Sequence, residues 1–590
     1  MIKGGSFLTS AIQPEDIFIP EDMNEDQKLI AAATEEFVRG EVEPRIDELE
    51  TKTEGMMEEL IKKSADIGLL GVDIPEKYEG TQLDYISSLI ITEKTARYVP
   101  FAITCLTHNT FCGWPVLYFG NDDQKQQYLP ELAIGKKIGA YALTEPDAGS
   151  DVLNIKTIAR LSKDGEFYIL NGEKQFTSNA GFADVIILYA KVDGEYFAAF
   201  ILDSDSEGLS LGEEEKKMGI HGSFTCGFVL SDLKVPKKNL LFQVGKGHMV
   251  AFNILNIGRH KLSGACIGAA KVAFDESLRY AKNRVQFGRS LSSFGLIKEK
   301  IGEMAIRVFV GESVIYRTSK LIEQGLRDKN ETPGSVEAGF DLARRIEEYA
   351  AECSISKIYA SELLDYVVDE TVQIHGGYGY IKELPAERYY RDSRIFRIFG
   401  GTNEINRLLI VKMILKGLAE SRQHNLEDNE NTTSGLSVAS NTCFQMRTLE
   451  ELDNLIQNAK KITLISLRAL GHAYPDNLDD HQELMGLVSN IIIEAYAMES
   501  CLLRALKIKQ RKGEEIGEIP TAISKVYILD AFMRVEHWAK LIVSSINEGE
   551  TLRQKLSNLE TLTRYIPVNT VALRRKIADF LFKAGRYFIC

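Results

Sequence analysis

The chain has 590 residues, of which 44% are hydrophobic and 26% charged, an ordinary globular composition long enough for several packed units. Its 84 acidic side chains outnumber the 70 basic ones, and the resulting formal charge of −14 sets nucleic acid aside as a partner. The eight cysteines are scattered, with no CxxC pair and no Cys/His group at zinc spacing, so reduced thiols in the cytoplasm and no metal site are expected.

The opening, MIKGGSFLTSAIQPED, has neither the apolar run of a signal peptide nor the Arg-rich bias of a transit peptide. Residues 20–136 read as an N-terminal helical domain, since EDQKLIAAATEEFVRGEVEP and MMEELIKKSADIGLL repeat apolar residues every three or four positions. Over 137–247 the texture changes to FYIL, VIILYAKV, YFAAFIL and FVLSDLKV. With Asn171-Gly172 and Asp193-Gly194 as two-residue hairpin turns, this predicts a compact antiparallel β domain. Helical spacing returns over 248–422, with long helices at 296–325, 336–373 and 402–420 that can bundle.

Residues 423–444, including HNLEDNENTTSGLSVASN, form a polar linker, and 445–590 an additional, separate helical domain. The last helix, VALRRKIADFLFKAGRYF, gathers Leu573, Ile577, Phe580, Leu581, Ala584 and Phe588 on one face, with Arg574, Arg575, Lys576, Lys583 and Arg586 around the rest. Such a helix either lies on an anionic membrane or docks on its own domain, and docking is the commoner use. No segment reaches the roughly 20 apolar residues of a spanning helix, so any membrane contact is peripheral, through the C-terminal domain.

The chain has no GxxxxGK[ST] loop, HExxH or GxSxG, and HGGYGY at 375–380 is not a dinucleotide-fold fingerprint. Five polar, glycine-rich segments stand out instead: YALTEPDAGSD (141–151), GEKQFTSNA (172–180), RVQFG (284–288), QIHGGYGY (373–380) and RDSRIFRIFGGTNEINR (391–407). Singly, each reads as a turn or a helix cap. In this order and at these separations they resemble the acyl-CoA dehydrogenase family across about residues 20–420, and the helical extension is most like the very-long-chain branch.

The resemblance implies a mainly α fold: a helical domain, a small β-barrel-like domain and a four-helix bundle, followed by a C-terminal helical extension. It implies a homodimeric FAD protein that oxidises long-chain acyl-CoA to trans-2-enoyl-CoA in fatty-acid β-oxidation, with electron-transfer flavoprotein as oxidant. Tyr141, Leu143, Thr144, Gly149 and Ser150 would surround the flavin, with Phe176, Thr177 and Ser178 beside it and Phe176 in place of the family's tryptophan. Arg284, Gln286 and Phe287 of one subunit and Gln373, Gly376 and Gly377 of its neighbour would hold the adenosine diphosphate half. Thr402, Asn403 and Glu404 would approach the pyrophosphate at a helix N-terminus. Ser150, Asn256, Arg259, Phe399 and Gly401 would meet the acyl thioester.

The family's base is a glutamate directly before GT[NA], and here that position is Gly400. Some branches place it before the arginine of the substrate helix, which here is Gly258. Neither position carries a carboxylate. A general base is worth ~10²–10⁴ in rate, while the backbone N–H of Gly400 can still polarise a thioester carbonyl. Three accounts therefore stand: a dehydrogenase carrying a Glu-to-Gly change, an active flavoenzyme with another base, or a non-catalytic flavin- and acyl-CoA-binding homologue. The residues taken without the resemblance also suit a membrane-surface scaffold, which would be colourless when purified.

Overall fold

The computed structural model describes residues 2–327, 336–424 and 448–589, so nearly all of the expected linker lies outside the described residues. The N-terminal helices are α1 (Glu25–Phe37), α2 (Ile46–Glu50), α3 (Met56–Asp66), α4 (Tyr85–Thr95), α5 (Val99–Leu106), α6 (Trp114–Phe119) and α7 (Asp122–Ala133). Side chains of Asn24, Asp84 and Asn121 accept from the third helical N–H and so start α1, α4 and α7. Between α5 and α6 the chain widens into a π-helical stretch, Thr107–Gly113. Such bulges are rare and occur frequently at functional sites.

The β domain consists of β1 (Gly139–Ala142), β2 (Ile158–Leu161), β3 (Phe167–Ser178), β4 (Val185–Val192), β5 (Tyr196–Asp203), β6 (Leu209–Glu214), β7 (Thr225–Pro236) and β8 (Leu240–Leu241). They form one sheet in the order β6-β7-β3-β2-β4-β5-β8, with β1 on β4. The sheet is mixed, since β1 and β2 both pair with β4 in parallel. VIILYAKV lacks alternation because both faces of β4 are covered. Val185, Ile187 and Tyr189 face the helices, and Ile186, Leu188 and Ala190 face the sheet's own interior.

The expected turn at Asn171-Gly172 is absent. Both residues lie within β3, where Asn171 exchanges side-chain and backbone hydrogen bonds with Asp232 of β7. The glycine serves close approach, since a Cβ there would fall 2.5 Å from Thr157 Oγ1. Asp193 and Gly194 do turn the chain, with φ of 54° and 78°, but in a connection of three residues, 193–195.

Beyond the sheet run α8 (Gly247–Asn283), the short hairpin β9 (Val285–Gln286) and β10 (Arg289–Ser290), α9 (Gly295–Arg327), α10 (Val336–Glu347), α11 (Ala350–His375), α12 (Ala386–Ser393) and α13 (Asn403–His424). The helix expected over 336–373 is thus two helices, broken after Glu347. Helices α8, α9, α11 and α13 form the bundle, and α8 and α11 lie along each other.

The extension adds α14 (Leu449–Ala473), α15 (Gln482–Lys512), α16 (Glu514–Ile546), α17 (Gly549–Thr563) and α18 (Thr570–Ala584). It packs directly on the bundle, with one apolar core running from α8, α9 and α11 into α14, α15 and α16. Ion pairs reinforce the seam: Arg317 with Glu499 (2.8 Å), and Arg504 with Glu21 (2.6 Å) and Glu312 (2.8 Å). Helix α15 is long and apolar enough to cross a membrane, yet most of it is buried in this core. In α18, Ile577 and Leu581 are buried and Leu573 and Phe580 partly so, while Phe588 in the tail stays exposed. Arg574 pairs with Glu303 and Asp530. The apolar face of α18 is therefore spent on docking.

Candidate active site

The two segments expected beside a flavin are joined by one buried carboxylate. Glu145, in the loop after β1, accepts from Lys174 Nζ of β3 (2.7 Å), Thr157 N (3.1 Å) and Lys156 N. Burial alone would raise its pKa, but the Lys174 charge and these donors hold it below the usual carboxylate range. Gln175 N donates to Thr144 O (2.9 Å), so the loop and the end of β3 form one wall. Within it, Tyr141 lies in β1 and Leu143 and Thr144 follow it, with Gly149 and Ser150 exposed at the end of the loop.

On that wall Phe176 has φ +56° at a register shift of β3 and is 57% exposed. Positive φ in a bulky residue is strained, and here it presents the ring to the outside. Next to it Thr177 Oγ1 is buried without a hydrogen-bond partner among the described residues, while Ser178 pairs with Thr225 across the sheet. An exposed ring face beside an orphaned hydroxyl fits a planar, polar-edged group such as an isoalloxazine.

Two of the residues expected at a thioester, Asn256 and Arg259, lie on α8. Arg259 is only 7% exposed, and its guanidinium donates to Gly400 O (2.9 Å) and to Asn256 Oδ1 (2.7 Å). Burial lowers its pKa to about 10, and among the described residues no carboxylate pairs with it. Gly400 and Gly401 have φ of +67° and +82°. Their loop is held by its carbonyls: Gly401 O accepts from Lys357 Nζ (2.9 Å) and Asn406 Nδ2 (2.8 Å). Neither glycine N–H donates a hydrogen bond to any described residue, so both remain available to a carbonyl oxygen. Phe399, half-buried, packs edge-on against Phe396 at 5.2 Å.

Two of the three residues expected at the pyrophosphate have their side chains committed elsewhere. Asn403 is buried, accepting from Lys357 (2.7 Å) and donating to Ser361 (3.0 Å) and Glu362 (3.1 Å). The Thr402 hydroxyl caps α13 through Ile405 N (3.3 Å). Only the start of the helix backbone and the exposed Glu404 remain for a ligand.

The segments expected at the adenosine half lie close together in space. Arg284, Gln286, Gly376 and Gly377, assigned above to opposite subunits, line one cavity of about 520 Å³ within a single chain. The reason is the side-by-side course of α8 and α11, whose ends are joined by Tyr280 stacking on His375 at 4.1 Å. Gln373 is exposed and does not line this cavity, and Phe287 stands at the tip of the β9–β10 hairpin, 93% exposed.

Several residues had no signal in the sequence. Phe111, on the π-helical stretch, lies 5.4 Å from the Tyr141 ring and connects the two sides of the site. A Cβ at Gly258 would fall 2.7 Å from its Cε1 and closer still to Cζ. Lys357, Asn406 and the Glu145–Lys174 pair were equally silent, because each acts on a partner distant in sequence or on backbone oxygen.

Comparison with known proteins fixes the lineage. Residues 24–136, 140–233 and 245–415 match the acyl-CoA dehydrogenase N-terminal, middle and C-terminal domains, and 458–561 match a further acyl-CoA dehydrogenase C-terminal domain. A Bacillus subtilis protein named "Probable acyl-CoA dehydrogenase" is 42% identical over 587 residues, covering 100% of this chain and 98% of its own. A crystal structure of an acyl-CoA dehydrogenase complexed with FAD from Bacillus anthracis superposes with a TM-score of 0.96 at 43% identity, covering 100% of both chains. The mitochondrial very long-chain specific acyl-CoA dehydrogenase of Macaca fascicularis is 34% identical over 69% of this chain and 60% of its own. The chain belongs to the acyl-CoA dehydrogenase family of FAD-dependent oxidoreductases, with an additional C-terminal helical domain.

Proposed function

We propose that this chain binds FAD and a long-chain acyl-CoA in a site shaped for dehydrogenation to the trans-2-enoyl thioester, and that Gly400 removes the proton acceptor, so turnover is slow. The observation that carries the reading is the Gly400–Gly401 loop, which among the described residues offers two unpaired N–H groups beside buried Arg259 with no carboxylate bonded to either. FAD, when bound, supplies the acceptor for the β-hydrogen. Thr177 Oγ1 and the loop after β1 would hold its polar edge, and Arg284, Gln286 and the glycines at 376 and 377 its adenosine half. The Gly400 N–H would donate to the thioester oxygen, while Arg259 and Asn256 fix the loop from behind.

Support for long chains comes from the very-long-chain relatives and the additional domain. Phe287, a large ring left almost wholly in solvent beside the adenosine cavity, supports a homodimer in which this hairpin reaches a second subunit. Electron-transfer flavoprotein is the proposed oxidant and β-oxidation the proposed setting. The test is an anaerobic titration of the FAD-loaded protein with palmitoyl-CoA, following the oxidised flavin band. A shifted but unbleached spectrum is expected. Bleaching within a turnover time would overturn the missing-base reading, and failure to take up FAD would overturn the flavin reading.

A further inference from the structure

Away from these residues, a cleft of about 560 Å³ opens where distant parts of the chain meet. Its walls are α1 and the segment before it, the end of α4, the middle of α8, part of α9, the end of α15, and the tail after α18. Eight lysines and arginines line it against five aspartates and glutamates, a local positive excess in a chain of charge −14. The deep carboxylates are already engaged. Glu93 and Glu312 share Lys271 (2.7 and 2.5 Å), and Glu312 also pairs with Arg504 (2.8 Å). At the rim, Lys512 and Arg586 have no carboxylate within ion-pair distance among the described residues.

The tail is pinned here. Tyr587 N donates to Asp275 (2.5 Å) and its hydroxyl to Glu312 (2.8 Å). This leaves Phe588 on the cleft wall, 44% exposed, with the Arg586 guanidinium 5.7 Å from its ring centre. The volume is that of a small-molecule site. Cations whose neighbouring acids are paired with other cations or, for Asp275, hydrogen-bonded to backbone suit a chain of phosphates, and a fixed, exposed aromatic face suits a base that stacks.

We propose that this cleft binds a nucleoside di- or triphosphate, its phosphates between Lys512 and Arg586 and its base against Phe588. Bound there, the ligand bridges the N-terminal helices, the bundle and the extension, and so stabilises their union by mass action.

The test is calorimetric titration of the FAD-loaded full chain with ADP and, separately, inorganic tripolyphosphate at constant ionic strength. Both should bind, ADP more tightly. Lys512→Glu with Arg586→Glu should weaken both at least tenfold, and Phe588→Ala should weaken ADP alone. All three side chains are exposed, so circular dichroism and flavin content should match the parent. No binding of either ligand, or binding indifferent to the charge reversal, would overturn the site. Equal affinities untouched by Phe588→Ala would overturn the nucleoside assignment.

Discussion

The two positions at which the family's base is expected are both glycine here, yet they are physically unlike. Gly258 lies inside α8, and the ring of Phe111 already fills the space where its Cβ would be. Gly400 lies in a loop whose φ of +67° costs an L-residue something, but a Cβ there meets only Leu262 Cδ1 at 3.0 Å and Arg259 Cγ at 3.8 Å. The first position is closed by packing. The second is open but strained, beside an arginine that no carboxylate among the described residues pairs with. Losing a group at a site is therefore different from having no room for it.

Substitution at Gly400 gives the largest effect. Gly400→Glu should raise the rate of α-proton removal by ~10²–10⁴, read as flavin reduction under acyl-CoA in single turnover. A variant no faster with any chain length would end the missing-base account. Gly258→Glu should instead lose roughly 3 kcal/mol or more, by overpacking against Phe111 and burying a charge, with collapse of soluble yield. Phe111→Ala in the same chain should recover part of that. A single Gly258→Glu variant with an unchanged melting temperature would break the comparison. Gly400→Ala isolates the backbone term. It should cost about 1–2 kcal/mol and a few degrees in melting without creating activity, and a melting point at or above the parent's would show the conformation to be unstrained.

The smallest effect concerns Lys357, which holds the carbonyl after Gly400. Burial lowers its pKa from 10.5 to about 7. Between those values the unfolded chain binds the proton and the folded one releases it, so this group's contribution to stability rises with pH from about 7 to 10.5. The melting difference between the parent and Lys357→Met should therefore grow across that range. In Gly400→Glu the onset should move upward, since a neighbouring carboxylate favours the ammonium. A flat difference would mean that Lys357 keeps its proton in the fold.

Local patterns in the sequence carried far. Apolar spacing located the helical and β-rich regions, and Arg284, Gln286, Gly376 and Gly377 of the singled-out segments line one cavity. What stayed hidden depended on neighbours distant along the chain. Asn171-Gly172 has turn chemistry, but the approach of Thr157 and the pairing with Asp232 keep it within a strand. The two adenosine-side segments join in one chain only because α8 and α11 end together. The obstruction at Gly258 needs the π-helical stretch that aims Phe111, and no periodicity announces it. The extension read as a separate domain because a polar stretch precedes it, whereas its buried face continues the bundle's core.

That shared core also orders events in time. Asp22 accepts from Lys507 Nζ at a separation of 485 residues, and Glu21 is bonded to Arg504 at 483. During synthesis, Glu21 and Asp22 must wait for α15 to be made before they gain these partners, and loop closure over that length is costly. The segment around Glu21 and Asp22 is thus translated well before the partners against which it settles. Nascent chains stopped before α15 should display it to proteases or chaperones that never reach it in the finished protein.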